Sequence, residues 1–152
     1  MQIRSAGRHG PEPEWAECFA GQSNGICGAV ANGYLALRTG THSGDIPISV
    51  ELHDGPPQLH DDWQDIVEVS FEVTGPVELA TLFEGVVEWD LGVPGGVYRV
   101  RCCAAGMDDG PPGVALDERY LLQFWPAPIE ADRIIRQTSA TASARHREQR
   151  RT

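Results

Sequence analysis

The sequence predicts an all-β domain: a single antiparallel β-sandwich of eight or nine short strands followed by a short C-terminal extension. Three observations predict it. Residues 63–73, WQDIVEVSFEV, alternate at period two, with Val67, Val69, Phe71 and Val73 on one side and Glu68, Ser70 and Glu72 on the other. Comparable short segments recur along the chain with Gly, Pro and Asn turns between them. No fixed-period repeat, heptad or long amphipathic helix interrupts the pattern. At 152 residues and 41% apolar content the chain fills one domain, with an irregular lead-in at 1–13, the sandwich at 14–138 and a basic, flexible tail at 139–152.

The lead-in is polar and broken by Gly10, Pro11 and Pro13. A short strand over 15–20 would pair back with one over 26–30 across the turn cluster 21–25. Asn32-Gly33 then marks a hairpin turn into 34–39, because a type I′ turn requires positive φ at both centres. Ile46, Ile48, Val50 and Leu52 form the apolar side of a strand that Pro47 pushes towards a sheet edge. Residues 53–62, HDGPPQLHDD, are an acidic loop leading to the long strand. Strands at 77–82 and 86–91 flank Phe83-Glu84-Gly85, a three-residue hairpin connection. After the corner at 91–96, a second long strand over 97–105 turns Tyr98, Val100 and Cys102 inward, opposite Arg99 and Arg101. A last strand over 119–125 stops at Pro126 and Pro128, and beyond Ala131 the periodicity fails.

Charge is unevenly distributed. All 12 basic residues are arginine, against 22 acidic residues, for a formal net of −10. Residues 133–152 hold six arginines and one glutamate (+5), leaving six arginines and 21 carboxylates (−15) in residues 1–132. An acidic body lacks the basic stripe that replaces counterions on nucleic acid, and it attracts basic partners instead. The N-terminal residues contain no apolar signal core and no window reaches membrane-spanning length, so the expected location is cytoplasmic, with four reduced cysteines. No lysine is present, which excludes a Walker-type phosphate loop, and no cofactor is implied.

The candidate partner-binding set is Asp61, Asp62, Trp63, Asp65, Glu68 and Glu72, a negative face with one aromatic anchor for a basic protein. The same carboxylates could instead be ordinary solubilising charge, neutralised across the sheet by Arg99 and Arg101. His53 with Asp54, and His60 with Asp61 and Asp62, are the candidates for metal ligation or hydrolysis, although a seven-residue spacing across two prolines matches no ligand template. Ser70 lacks the glycines of a nucleophile elbow.

Residues 90–102, DLGVPGGVYRVRC, followed after an acidic loop by residues 119–124, RYLLQF, resemble the C-terminal half of the competence protein J family. The resemblance implies a small bacterial β protein that inhibits a DNA-entry nuclease, and it assigns no inhibitory residue. The expected function is therefore a binding module, an inhibitor or immunity-like protein that occludes a basic, nuclease-like partner. A small metal-dependent hydrolase built on His53 and His60, or an accessory structural subunit, are the alternatives.

Overall fold

The computed structural model describes residues 2–5, 12–41, 45–80, 87–111 and 116–152. Among these, ten strands form two five-stranded sheets, with one short α-helix. The first sheet has the order β2 (Cys27–Gly28), β3 (Tyr34–Leu37), β1 (Gln2–Ser5), β6 (Val77–Ala80), β7 (Val87–Asp90). The second has the order β10 (Arg133–Arg136), β5 (Asp65–Val73), β8 (Gly96–Ala105), β9 (Arg119–Pro126), β4 (Ile48–Leu52). The broad all-β expectation holds.

The alternation in 67–73 positions the core. Val67, Val69, Phe71 and Val73 of β5 meet Tyr98, Val100 and Cys102 of β8 and Tyr120, Leu122 and Phe124 of β9 in one buried cluster, which Leu35, Leu37, Val77 and Leu79 of the first sheet join. Phe124 is central to it, with Phe71 and Tyr98 edge-on at 6.3 and 6.2 Å between ring centroids. Each such side chain contributes roughly 1.5–3 kcal/mol by leaving water.

Several local expectations are corrected. The lead-in contains β1, which pairs antiparallel with β3 on one side and β6 on the other. Trp15–Phe19 is a 3-10 turn, not a strand, and its Cys18 and Phe19 pack with Ala36 on the side of β3 away from the main core. The spacing of Trp15, Cys18 and Phe19 suits a helical turn as well as a strand. The turn at 31–34 closes through Tyr34 N–H donating to the Ala31 carbonyl at 3.0 Å. Gly33 has φ +82° and among the described residues no non-glycine has positive φ, so only the third position is left-handed, as in a type II rather than a type I′ turn.

The second sheet is not wholly antiparallel. β4 is an edge strand, as Pro47 implies, but it runs parallel to β9 with Ile48 opposite Tyr120 and Leu52 opposite Phe124. Period-two alternation carries no information about strand direction, so the sequence could not show it. The connection at Phe83-Glu84-Gly85 lies outside the described residues.

The stretch after Ala131, where periodicity fails, adds a strand, and residues 139–152, expected as a flexible tail, carry a helix. Arg133–Arg136 is β10, paired with β5, and α1 (Ala140–Gln149) docks Ala142 into the core and carries a fully buried His146. The helix has little amphipathic signal because alanine, serine and histidine make its buried side. Its docking depends on Gly25, where a Cβ would lie 2.2 Å from the Arg145 carbonyl oxygen. Gly25→Ala is therefore expected to destabilise the protein by about 1–3 kcal/mol in urea unfolding. Gly55→Ala, whose Cβ meets nothing within 4 Å, should not lower the midpoint.

Candidate functional site

The outer face of the second sheet, turned away from the core, is organised in rows set by strand register. Ile66, Cys103 and Leu121 form an apolar row. Glu68, Arg101, Gln123 and Glu51 form the next, and Ser70, Arg99 and Trp125 the third. Alternation suggests a solvated acidic face. In the structure Glu68, Arg99 and Arg101 are instead 6%, 3% and 6% exposed, because two loops lie on top of them.

One loop is 127–132. Arg99 donates to the carbonyls of Glu130 (3.2 Å) and Ala131 (2.9 Å), and Ser70 Oγ accepts from Glu130 N–H at 3.0 Å. Burial pulls the Arg99 pKa down, and Glu68 and Glu130 act against it. The other loop is 53–62, which leaves β4 where His53 N–H donates to the Phe124 carbonyl. Arg101 holds the Pro57 carbonyl at 2.6 Å and stacks over Trp125 at 5.1 Å. Arg136 holds the carbonyls of His60 and Trp63, both at 2.8 Å, and Arg119 donates to that of Asp62 at 3.4 Å.

The six expected partner residues do not make one face. Asp61, Asp62 and Glu72 are exposed. Trp63 is half-buried, packed with Ile66, Cys103, Leu121 and Ile135 under the Arg119 guanidinium at 5.3 Å, so it is not a free anchor. Glu68 is buried in the arginine row. Asp65 lies on the core side with Val67, fully buried, and its Oδ1 accepts from the N–H groups of Thr138 (2.8 Å) and Ser139 (3.1 Å). It orients the entry to α1. Strand alternation puts Asp65 on the opposite side from Glu68 and Glu72, a consequence that the acid-rich composition of the stretch obscures.

His53 and His60 are likewise not brought together as ligands. His53 Nε2 pairs with Glu51 Oε2 at 2.7 Å, while the contact made to His60 is through its carbonyl. Among the described residues no group of three His, Cys, Asp or Glu side chains is placed to hold a metal ion. The Glu51 carboxyl is held below its ordinary range by hydrogen bonds from Gln123 (2.9 Å) and then His53.

The four cysteines are free and buried. Burial pushes the thiols of Cys18 and Cys103 up to about 11 and about 12, and a hydrogen bond with Cys27 together with burial raises Cys102, so these three are poor nucleophiles at neutral pH. The buried Glu118 accepts from Gly40 N–H, from Thr41 N–H at 3.0 Å and from the Tyr120 hydroxyl at 2.5 Å, tying the 40–41 turn to β9. No local motif announced it.

Comparison of the chain with family models, curated proteins and solved structures finds no match. Its functional reading rests on the geometry above. What that geometry provides is a loop fixed from beneath through its main chain, leaving Asp54, Gln58, Leu59, Asp61 and Asp62 exposed above it. Leu59 is 42% exposed among these polar neighbours.

A concavity of about 630 Å³ lies between the 3-10 turn and the last turn of α1, lined by Trp15, Phe19, Arg38, Gln149 and Arg151. Arg38 sits over Phe19 at 5.3 Å and pairs with Glu148 at 3.5 Å.

The split among the carboxylates predicts a split in stability. Asp65→Ala should cost roughly 1–3 kcal/mol in chemical denaturation, since it strands two N–H donors at the mouth of α1. Asp61→Asn with Asp62→Asn should leave the midpoint unchanged.

Proposed function

We propose that this chain is a protein-binding module whose recognition element is the loop 53–62, and that its partner is a basic protein. The observation that carries the reading is the set of guanidinium-to-carbonyl bonds from Arg101, Arg119 and Arg136, which fix the loop through its main chain while Asp54, Leu59 and Asp62 stay exposed and Asp61, also exposed, pairs with Arg136 at 3.6 Å. A loop ordered during folding loses little further entropy on binding, which favours affinity. Leu59 supplies an apolar contact and Asp54, Asp61 and Asp62 flank it with negative charge, an arrangement suited to a desolvated centre with a steering rim. Relative to the sequence reading, the anchor moves from Trp63 to Leu59, and Asp65 and Glu68 leave the set.

Occlusion of a basic groove, as in a nuclease inhibitor, is the form of this function that the competence protein J resemblance suggests. The residues carrying that resemblance, 90–102 and 119–124, fall in the corner before β8 and in β8 and β9. Most of them are buried, in the core or under the loops of the outer face, so the resemblance speaks to a β-sandwich scaffold and leaves the contact surface to the loop.

The test is capture of partners at low and moderate salt by wild type, by Leu59→Ser/Asp61→Asn/Asp62→Asn, and by an Asp109→Asn/Asp117→Asn control altered at exposed carboxylates elsewhere. A basic partner held by wild type and control, released by salt, and bound at least about tenfold more weakly by the loop variant is the expected result. Equal retention by wild type and loop variant would remove the loop as the binding element.

A further inference from the structure

The C-terminal helix is fastened at its two ends by different chemistry. At its N-terminus Ser139 Oγ accepts from Ala142 N–H at 3.0 Å, Asp108 accepts from Ala140 N–H (2.7 Å), Thr141 N–H (3.0 Å) and Thr141 Oγ1 (2.7 Å), and Asp65 holds the two residues before it. The hydrogen bonds from Thr141 and Ala140 keep the Asp108 carboxyl below its ordinary range, so that end stays fastened in mild acid. Further along, Arg145 donates to the Thr39 carbonyl (3.0 Å), Gln149 Nε2 to the Phe19 carbonyl (2.8 Å) and Arg38 pairs with Glu148 (3.5 Å), and among these an imidazole supplies the proton-sensitive attachment. His146 is fully buried, and its Nδ1 accepts from Gly25 N–H at 3.0 Å.

That bond fixes the protonation state. Nδ1 must carry a lone pair, so the ring is neutral with its proton on Nε2. Nε2 is itself buried without a hydrogen-bond partner, as is Oδ2 of Asp65. The charged and titratable groups acting on the ring are Asp65 from β5, Asp132 from the 127–132 segment and Arg150 from α1 itself, while the loop packed against it presents the Gly25 amide. Protonating Nδ1 in place would set two donors against each other across 3.0 Å, with Gly25 unable to move aside because its Cα lies under the Arg145 carbonyl.

We propose that His146 is a pH-sensitive latch: neutral, it accepts the Gly25 N–H and holds α1 on the body; protonated, it forfeits that bond and lets the helix swing out about its fastened N-terminus. Release frees Arg145, Arg147, Arg150 and Arg151 as a basic arm and dismantles the concavity that Gln149 and Arg151 help to line. The sign follows from linkage. Burial lowers the His146 pKa in the docked state, with Asp65 opposing, so the undocked state binds the extra proton more readily. Docking is at full strength above the free imidazole value of about 6.5, and weakens as pH falls below it.

Amide hydrogen exchange between pH 7.5 and 5, corrected for intrinsic rates, tests the latch in the full chain. Protection at residues 146–150 should fall by about tenfold per pH unit below about 6.5, while amides of β5 and β8 keep theirs. In His146→Asn, whose Oδ1 can take the place of Nδ1 without titrating, protection of α1 should not change with pH. Three results overturn the proposal: pH-independent protection in wild type, the same loss in His146→Asn, or simultaneous loss in β5 and β8. Should the variant fail to fold, the wild-type ring proton resonances decide. Titration of His146 coinciding with the loss of helix protection supports the latch, and titration with no change in those amides overturns it.

Discussion

Arginine side chains bonding to main-chain carbonyls hold the second sheet's outer layer in place. Arg99 and Arg101 point away from the core, where a half-solvated sheet would leave them in water, and two segments of chain cover them. Burying a guanidinium is costly unless its donors are met, and loop carbonyl oxygens meet donors of both arginines, leaving Nε of Arg101 buried without a partner. Glu68, opposite Arg101 in the neighbouring strand and acting on Arg99 as well, supplies the countercharge. The result is a layer of irregular chain tied to the sheet through its own main chain. The contact surface proposed for this protein is the top of that layer.

Much of the scaffold was legible. The alternation of Val67, Val69, Phe71 and Val73, and of Tyr98, Val100 and Cys102, identifies the inner faces correctly because it reports burial on one side. What it cannot report is how the other side is treated. Glu68 and Arg101 look like solvent-facing residues in a strand pattern, and only the path of loop 53–62 shows that they are not. Pro47 indicated an edge for β4, yet direction and neighbour were invisible, since β4 pairs with a strand about seventy residues later.

The candidate site shows the same division. Counting carboxylates from Asp61 to Glu72 gave one face, although the pleat separates Asp65 from Glu68 and Glu72. From Ser139 on, composition allows either weak helicity or disorder, and Ala140–Gln149 lacks the apolar stripe that would decide it. Its stability comes from capping by Ser139 and Asp108 and from single fitted contacts at Ala142 and His146, none of which leaves a periodic trace. Asp132 illustrates the point, receiving the N–H groups of Ser23 and Asn24 across more than a hundred residues while standing in an ordinary-looking loop.

The bare Cα of Gly25 also bears on the order in which the protein can be completed. Its fit is to Arg145 and His146, a separation of 121 residues from the latter, so the loop at 21–26 cannot reach its final surroundings until α1 is present. Contacts this distant in sequence close slowly. In folding, the two sheets can collapse first, holding Gly25 and Asn24 in waiting, and the helix docks last. A chain caught between those two steps displays a body whose docking groove is open, the moment at which a chaperone or protease has its best access.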